Sequence, residues 1–222
     1  MKRLSIVVLL TSLFLASVLN AGYNQERRVL TSAKILKDAM MLPKTGITKK
    51  ILHNAKAIAV FPNIMKAAFF IGGRVGKGVM SIKNEEGKWS EPIFVSIKGV
   101  SIGMQFGFKA TDLIVIFKTD RSLDDLASGK ITIGIDAGVV AVAKGVQSGV
   151  KTDEKLAANS VTYGKSSGAF VGISISGASL DVNDNDDFDY YDKLIYVNDI
   201  LVHDKVKDKP ESIKFKQVLN SL

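Results

Sequence analysis

Residues 67–82 read AAFFIGGRVGKGVMSI, and within this stretch the pattern of the chain changes from helical to extended. From here onward the sequence consists of short segments rich in β-branched and aromatic residues, which are typical of strands. The predicted strands are Ala67–Ile71, Val79–Ile82, Pro92–Ile97, Leu113–Lys118, Ile131–Ile135 and Gly172–Ile175. The stretch therefore predicts that most of the chain forms a sheet.

Glycines indicate the shape of this sheet, because many of them recur every four residues. The recurring positions are Gly99, Gly103, Gly107, Gly134, Gly138, Gly164, Gly168 and Gly172. Residues four apart in a strand lie on the same face. A face without side chains permits strong coiling, so we expect a strongly curved, mainly antiparallel sheet or a partly closed barrel.

Helices are predicted on both sides of the sheet-forming region. Apolar residues between Gln25 and Met41 have the spacing of one helix face. They are Val29, Ala33, Leu36 and Met40. We predict a short second helix over Thr48–Lys56, leading into an apolar run that Pro62 ends, and a C-terminal helix that begins at Pro210. The fold class is α+β, with N-terminal helices packed on the sheet.

The first 21 residues have the features of a signal peptide. Lys2 and Arg3 precede an apolar run from Leu4 to Leu19, and Ala21 supplies a small residue at the end. An uncleaved anchor stays open as an alternative, because Leu19 is bulky for a cleavage site. Residues 22–222 are then expected to form one domain of an exported protein, periplasmic or secreted, that associates peripherally with a membrane.

The residue types present exclude several kinds of site. Cysteine is absent, which removes disulfides, thiolate metal sites and cysteine nucleophiles. His53 and His203 are the only histidines, so a multi-histidine metal centre is not expected. We predict no metal, no cofactor and no catalytic residues.

Charge is distributed unevenly along the chain. Residues 22–88 hold 13 Lys or Arg against 4 acids, whereas residues 89–222 hold 15 against 18. This polarity predicts that one face meets an anionic surface, although a solvated face would have the same composition. Nucleic acid is not the expected partner, because basic and aromatic residues do not alternate in repeats.

Three stretches of sequence partly match known binding or catalytic motifs, and each departs from the motif at a required position. The glycine-rich stretch 72–78 could cradle phosphate, but it lacks the P-loop spacing and a bulged strand or turn is the alternative. Residues 164–168 match a hydrolase elbow without the helix that must follow the serine. Residues 181–192 resemble a calcium loop without its central glycine, so either a calcium site or a solvated acidic loop is possible.

The order of several short strings resembles the SYLF domain family, from about Val29 to Leu219. The strings are Ala57–Pro62, Gly72-Gly73, Trp89-Ser90-Glu91-Pro92, Gly103–Gly107, Gly134-Ile135-Asp136 and Tyr163–Gly172. The resemblance implies non-enzymatic binding of acidic phospholipids, such as phosphoinositide-like headgroups, partly through a basic amphipathic N-terminal helix. Lys144-Gly145-Val146 and Tyr190-Tyr191-Asp192 depart from the family's usual turns.

We therefore expect peripheral binding to anionic phospholipid, in which basic side chains attract the protein and apolar residues of the first helix insert shallowly. The helix residues assigned to lipid binding are Arg27, Arg28, Val29, Lys34, Leu36, Lys37 and Met40. Charge and proximity add Lys49, Lys50, Lys66, Arg74 and Lys77. The alternative is a structural or partner-binding periplasmic module, with an unknown protein partner, in which the helix covers the core.

Overall fold

The protein is described by a computed structural model. It describes residues 24–41, 47, 49–69, 71–102, 107–119, 130–133, 160–166, 169–172, 178–201 and 205–221. The predicted signal peptide lies outside these ranges.

The fold is α+β, as predicted. Helix α1 spans residues 24–41, and the other helices are α2 (Lys49–His53), α3 (Asp184–Tyr191), α4 (Val197–Leu201) and α5 (Pro210–Asn220). The strands are β1 (Ala57–Phe69), β2 (Ile71–Ile82), β3 (Ile93–Ile102), β4 (Gly107–Phe117), β5 (Lys130–Ile133), β6 (Ser160–Ser166), β7 (Ala169–Gly172) and β8 (Ala178–Val182). Helix α5 begins at Pro210, which confirms the C-terminal helix.

These strands form one antiparallel sheet in the order β5-β8-β3-β2-β1-β4-β6-β7. Among the described strands, β5 and β7 occupy the two edges, so this sheet is open and the barrel alternative does not apply to it. Strands β1 to β4 provide the long central ladder. The predicted antiparallel sheet is confirmed.

Residues that stand opposite one another in neighbouring strands point to the same side of a sheet. Five such residues identify one face. They are Val60, Val79, Phe94, Ile114 and Tyr163, and all five are buried. Helices α1 and α3 cover this face, which we call the α1 face. The Arg28 guanidinium lies 5.4 Å from the Phe94 ring centroid, and the Tyr190 ring lies 5.1 Å from it.

Strand β1 continues through Pro62, so the prediction that Pro62 ends this segment is wrong. Its register against β2 shifts between Val60 and Met65, which is the sign of a bulge. Asn63 has a φ of 52°, and its backbone N–H donates to Asp112 Oδ1 at 3.1 Å. The bulge accommodates the proline, which has no N–H for the ladder.

The glycine-rich stretch 72–78 lies in strand β2, so it is neither a phosphate loop nor a turn, and the bulge belongs to the neighbouring strand β1. A Cβ at Gly78 would lie 2.4 Å from the Val60 carbonyl oxygen and 2.5 Å from Cδ1 of Phe61. Atoms cannot approach this closely, so a side chain at residue 78 would require a shift of the backbone. Gly78 therefore makes room for the bulge of β1, whereas a Cβ at Gly73 would meet nothing within 4 Å.

Residues 184–191 form a helix, so the solvated loop expected across the acidic stretch is wrong. Asn183 caps helix α3, because its side chain accepts a hydrogen bond from the Asp186 N–H. Asp184 and Asp186 lie in the first turn, where the positive end of the helix dipole stabilises negative charge. No group of three or more metal-ligating side chains occurs among the residues with described positions.

Candidate functional site

The predicted site residues of α1 separate into two sets. Val29 and Leu36 are fully buried in the core, and Met40 packs against it partly buried. The outer side of the helix is formed by residues at spacings of three and four, all exposed. They are Asn24, Arg27, Leu30, Lys34, Lys37 and Met41, which we call the outer stripe of α1.

This separation changes the expected role of the apolar residues. In this structure Val29, Leu36 and Met40 hold α1 on the sheet, as the core-covering alternative describes, and they are not available for insertion while the helix stays there. The outer stripe presents Arg27, Lys34 and Lys37 instead. Lys34 also donates to Asp38 one turn later, at 2.7 Å, in an exposed ion pair.

An open cleft of about 550 Å³ lies between the start of α1 and the bulge of β1. We call it the α1–β1 cleft. Its lining consists of Asn24, Arg27, Arg28, Thr31, Pro62, Asn63 and Lys77. Three of the predicted lipid-binding residues, two from α1 and one from β2, therefore meet at one place.

Asp186 of α3 fixes two of these cations. Its side chain is only 5% exposed, and it bonds to Arg28 Nη1 at 2.7 Å and to Lys77 Nζ at 3.1 Å. Gln25 Nε2 and Asn183 Nδ2 donate to the same carboxylate at 2.9 and 2.8 Å. A buried carboxylate with four donors is well compensated, so it holds the cations in position.

The exposure of the three cations differs. The Arg28 side chain is 14% exposed, whereas that of Lys77 is 57% exposed, and Arg27 is exposed on the outer stripe. An arginine has five N–H donors, so Arg28 can hold Asp186 and still donate to a second anion. The cleft thus combines a fixed guanidinium with two accessible cations.

Asp187, next to Asp186, is buried and forms no ion pair with any residue that the structure describes. Its Oδ1 accepts the Phe94 N–H at 2.9 Å. Burial raises the pKa of Asp187 to about 8, with the neighbouring Asp184 and Asp186 carboxylates adding to the rise. This residue anchors α3 to β3 and takes no part in the cleft.

The remaining predicted site residues lie elsewhere. Lys49 and Lys50 belong to α2, and Lys66 stands opposite Arg74 in the β1–β2 ladder. Arg74 lies on the face opposite to Lys77, because the two are three residues apart in one strand. Burial lowers the pKa of Arg74, and its buried Nε has no hydrogen-bond partner among the described residues. These four residues do not line the cleft.

Sequence analysis missed four lining residues and the carboxylate that organises them. Asn24 and Thr31 lie three residues before and four residues after Arg27, and this helical spacing could have identified them. Pro62 and Asn63 belong to the bulge. Asp186 was hidden because its stretch was interpreted as a loop, although Asn183 three residues earlier is a helix-capping signal.

The Trp-Ser-Glu-Pro string has a structural role. Trp89 is buried, and Lys83 Nζ lies 4.6 Å from its ring centroid. The Tyr191 hydroxyl donates to the Pro92 carbonyl at 2.6 Å, and Glu91 pairs with Lys216 of α5. Desolvation lowers the pKa of Lys216, but its hydrogen bonds to Asp208 and Glu91 together outweigh this effect, so the pKa is raised. The string thus ties α3 and α5 to the start of β3.

Fold and site together define an α+β protein whose first helix covers an antiparallel sheet and borders a basic cleft. The chain belongs to the Ysc84 family, described as "Las17-binding protein actin regulator", whose model matches residues 98–222. This confirms the SYLF resemblance. No helix among the described segments has both the length and the apolar character needed to cross a membrane.

Relatives from animals and fungi are similar over much of the chain. The "SH3 domain-containing YSC84-like protein 1" of Rattus norvegicus is 29% identical over 204 residues, 89% of this chain and 59% of that protein. Its Homo sapiens counterpart is 28% identical over 189 residues, 82% of this chain and 54% of that protein. The "LAS seventeen-binding protein 3" of Saccharomyces cerevisiae is 29% identical over 137 residues, 60% of this chain and 30% of that protein. The chain therefore spans little more than half of the animal relatives and 30% of the yeast relative. The name of the yeast relative is that of a binding protein.

Proposed function

We propose that this chain binds anionic phospholipid at a membrane surface, without catalysis, and that a headgroup phosphate occupies the α1–β1 cleft. The observation that carries the proposal is the convergence of Arg27, Arg28 and Lys77 on one open cleft. Arginine and lysine provide charge-assisted hydrogen bonds to phosphate oxygens. The predicted signal peptide would place this surface outside the cytoplasm.

The outer stripe of α1 extends the same surface. Lys34 and Lys37 lie on the exposed side that also carries Arg27, so a bilayer that meets the cleft also meets these cations. Each basic residue near an acidic bilayer contributes about 1 kcal/mol of attraction. Binding through them leaves α1 in place on the sheet, which differs from the insertion that the sequence suggested.

Vesicle co-sedimentation tests the proposal. The purified protein is mixed with vesicles of phosphatidylcholine alone or with 30% phosphatidylglycerol, at several salt concentrations. We expect binding to the anionic vesicles only, and binding that weakens as salt screens the charges. Equal binding to both vesicles would refute the electrostatic role of the cleft.

The cleft itself is tested by neutralising its two accessible cations in the double variant Arg27→Gln and Lys77→Gln. At about 1 kcal/mol for each charge, the affinity should fall roughly thirtyfold. The double variant Lys207→Gln and Lys214→Gln is the matched control, because it also removes two positive charges, from exposed lysines that do not line the cleft. An equal loss in the control would show that only net charge matters.

Protein-partner binding is the second candidate. Phe188, Leu194 and Tyr196 are 50%, 65% and 60% exposed, and large exposed apolar side chains are common at protein interfaces. The names of the yeast relative and of the family refer to binding of a protein, Las17. This candidate would be favoured if the natural chain does not bind anionic vesicles and if the double variant Leu194→Ser and Tyr196→Ser loses binding to a protein that the natural chain binds.

A further inference from the structure

Two apolar side chains are exposed together on the α1 face, beyond the end of the cleft. Met65 of β1 and Val75 of β2 are 54% and 55% exposed, and they stand directly opposite each other in the ladder. Such partners have Cβ atoms about 5 Å apart, so the two side chains form one continuous surface. We call this pair the hairpin patch.

Lysines flank the hairpin patch on two sides. Lys77 lies two residues after Val75 in β2 and therefore on the same face, and Lys98 of β3 stands opposite Val75. Both lysines are exposed. The hairpin patch is thus an apolar spot with cations beside it, which is the arrangement of a surface that contacts acidic lipid.

The hairpin patch is also continuous with the cleft. Lys77 lines the cleft and flanks the hairpin patch, and Asn63 lines the cleft two residues before Met65. A membrane that places a phosphate in the cleft would therefore also reach Met65 and Val75. The apolar side of α1 is covered by the sheet and cannot make this contact.

We propose that the hairpin patch is the part of the protein that enters an anionic bilayer, at the boundary between headgroups and acyl chains. This inference rests on the proposed function and adds the apolar contact to it. A second copy of the chain is a poorer occupant, because a symmetric contact would bring Lys77 and Lys98 against their own copies. An acidic bilayer neutralises both.

A fluorescent label can distinguish the hairpin patch from other surfaces, because the natural chain has no cysteine. Val75→Cys is labelled with the environment-sensitive dye NBD and mixed with vesicles containing 30% phosphatidylglycerol. The expected result is a blue shift with at least a twofold rise in emission. Leu194→Cys, at a side chain of similar exposure beyond α3, is the control and should not respond.

A second measurement uses binding itself. The double variant Met65→Ser and Val75→Ser truncates side chains that are more than half exposed, so its thermal midpoint should fall only slightly below that of the natural chain. We expect its affinity for anionic vesicles to fall about tenfold, since apolar contact adds affinity in proportion to buried area. The matched control is the double variant Leu194→Ser and Tyr196→Ser, with unchanged affinity.

The outcomes separate this inference from the function on which it rests. If the natural chain does not bind anionic vesicles, both are refuted. If it binds while the label at residue 75 stays silent and the Met65/Val75 variant binds normally, the hairpin patch is refuted and the cleft stands. A blue shift that depends on protein concentration without vesicles would identify a second copy as the occupant, which also refutes the inference.

Discussion

Asp186→Asn is the substitution that most directly tests how the cleft is built, because it should weaken the fold and strengthen anion binding at once. The carboxylate is 5% exposed and bonds to Arg28 and Lys77. Breaking a fully buried pair costs about 3–5 kcal/mol. Lys77 is more than half exposed and contributes little, so we expect a loss of about 2–3 kcal/mol in the free energy of unfolding.

The same substitution changes the charge of the cleft. Arg27, Arg28 and Lys77 with Asp186 have a formal charge of +2, which becomes +3 in the variant. A carboxylate and a phosphate on opposite sides of one guanidinium lie about 6 Å apart, and in water their repulsion is about 0.7 kcal/mol. Its removal should raise the affinity for anionic vesicles about threefold.

Urea unfolding followed by fluorescence of the single tryptophan, Trp89, measures the first effect, and vesicle titration measures the second. Asp184→Asn is the control, because it removes the same charge from an exposed position on the same helix. A variant that is less stable but binds anionic vesicles no better would refute the electrostatic account of the cleft. Unchanged stability would refute the role of Asp186 in fixing Arg28.

Three further substitutions test the framework around the site. The pKa of Asp187 is raised to about 8, so the folded state holds a proton that the unfolded state releases above about pH 4. The free energy of unfolding should therefore fall by up to about 1.4 kcal/mol per pH unit between pH 5 and 8. Asp187→Asn should flatten this pH profile in urea titrations, and an unchanged slope would contradict the assignment. Gly78→Ala should destabilise the fold by about 3 kcal/mol or more in urea unfolding, because its Cβ would collide with β1, whereas Gly73→Ala should have little effect. Lys216→Met leaves Glu91 buried without its cation and should lower the thermal midpoint by several degrees. If the loss of the Glu91–Lys216 ion pair is the cause, adding Glu91→Gln to the same chain should partly restore the midpoint.

Helices and strands that depend only on nearby residues were predicted from the spacing and type of those residues. Helix α1 follows from apolar spacing, and α5 follows from Pro210 at its first position. Strands were placed correctly where β-branched runs are uninterrupted, as at Leu113–Lys118. Strand β1 was cut at Pro62 because the bulge that accommodates the proline depends on Asn63 and on the absence of a side chain at Gly78, which lies in another strand.

The cations of the candidate site were predicted from the sequence, but their convergence on one cleft was not. Charge identified Arg27, Arg28 and Lys77, yet no local signal says that residues some fifty positions apart share a cleft. The uneven charge of the sequence predicted one face that meets an anionic surface. The fold instead brings Asp186 from the acidic half against the basic cations, because helix α3 packs on the same face of the sheet as α1.

Whether α1 leaves the sheet for a membrane is decided by comparing two apolar environments. Val29 and Leu36 are already fully buried, which is worth about 1.5–3 kcal/mol for each side chain. Transfer to the acyl region replaces one apolar environment with another and gains almost nothing. The sheet face left behind, including Phe94, would meet water, and the ion pair between Arg28 and Asp186 would be lost. We therefore expect the helix to stay on the sheet, and the membrane binding proposed above would use side chains that the folded protein already exposes.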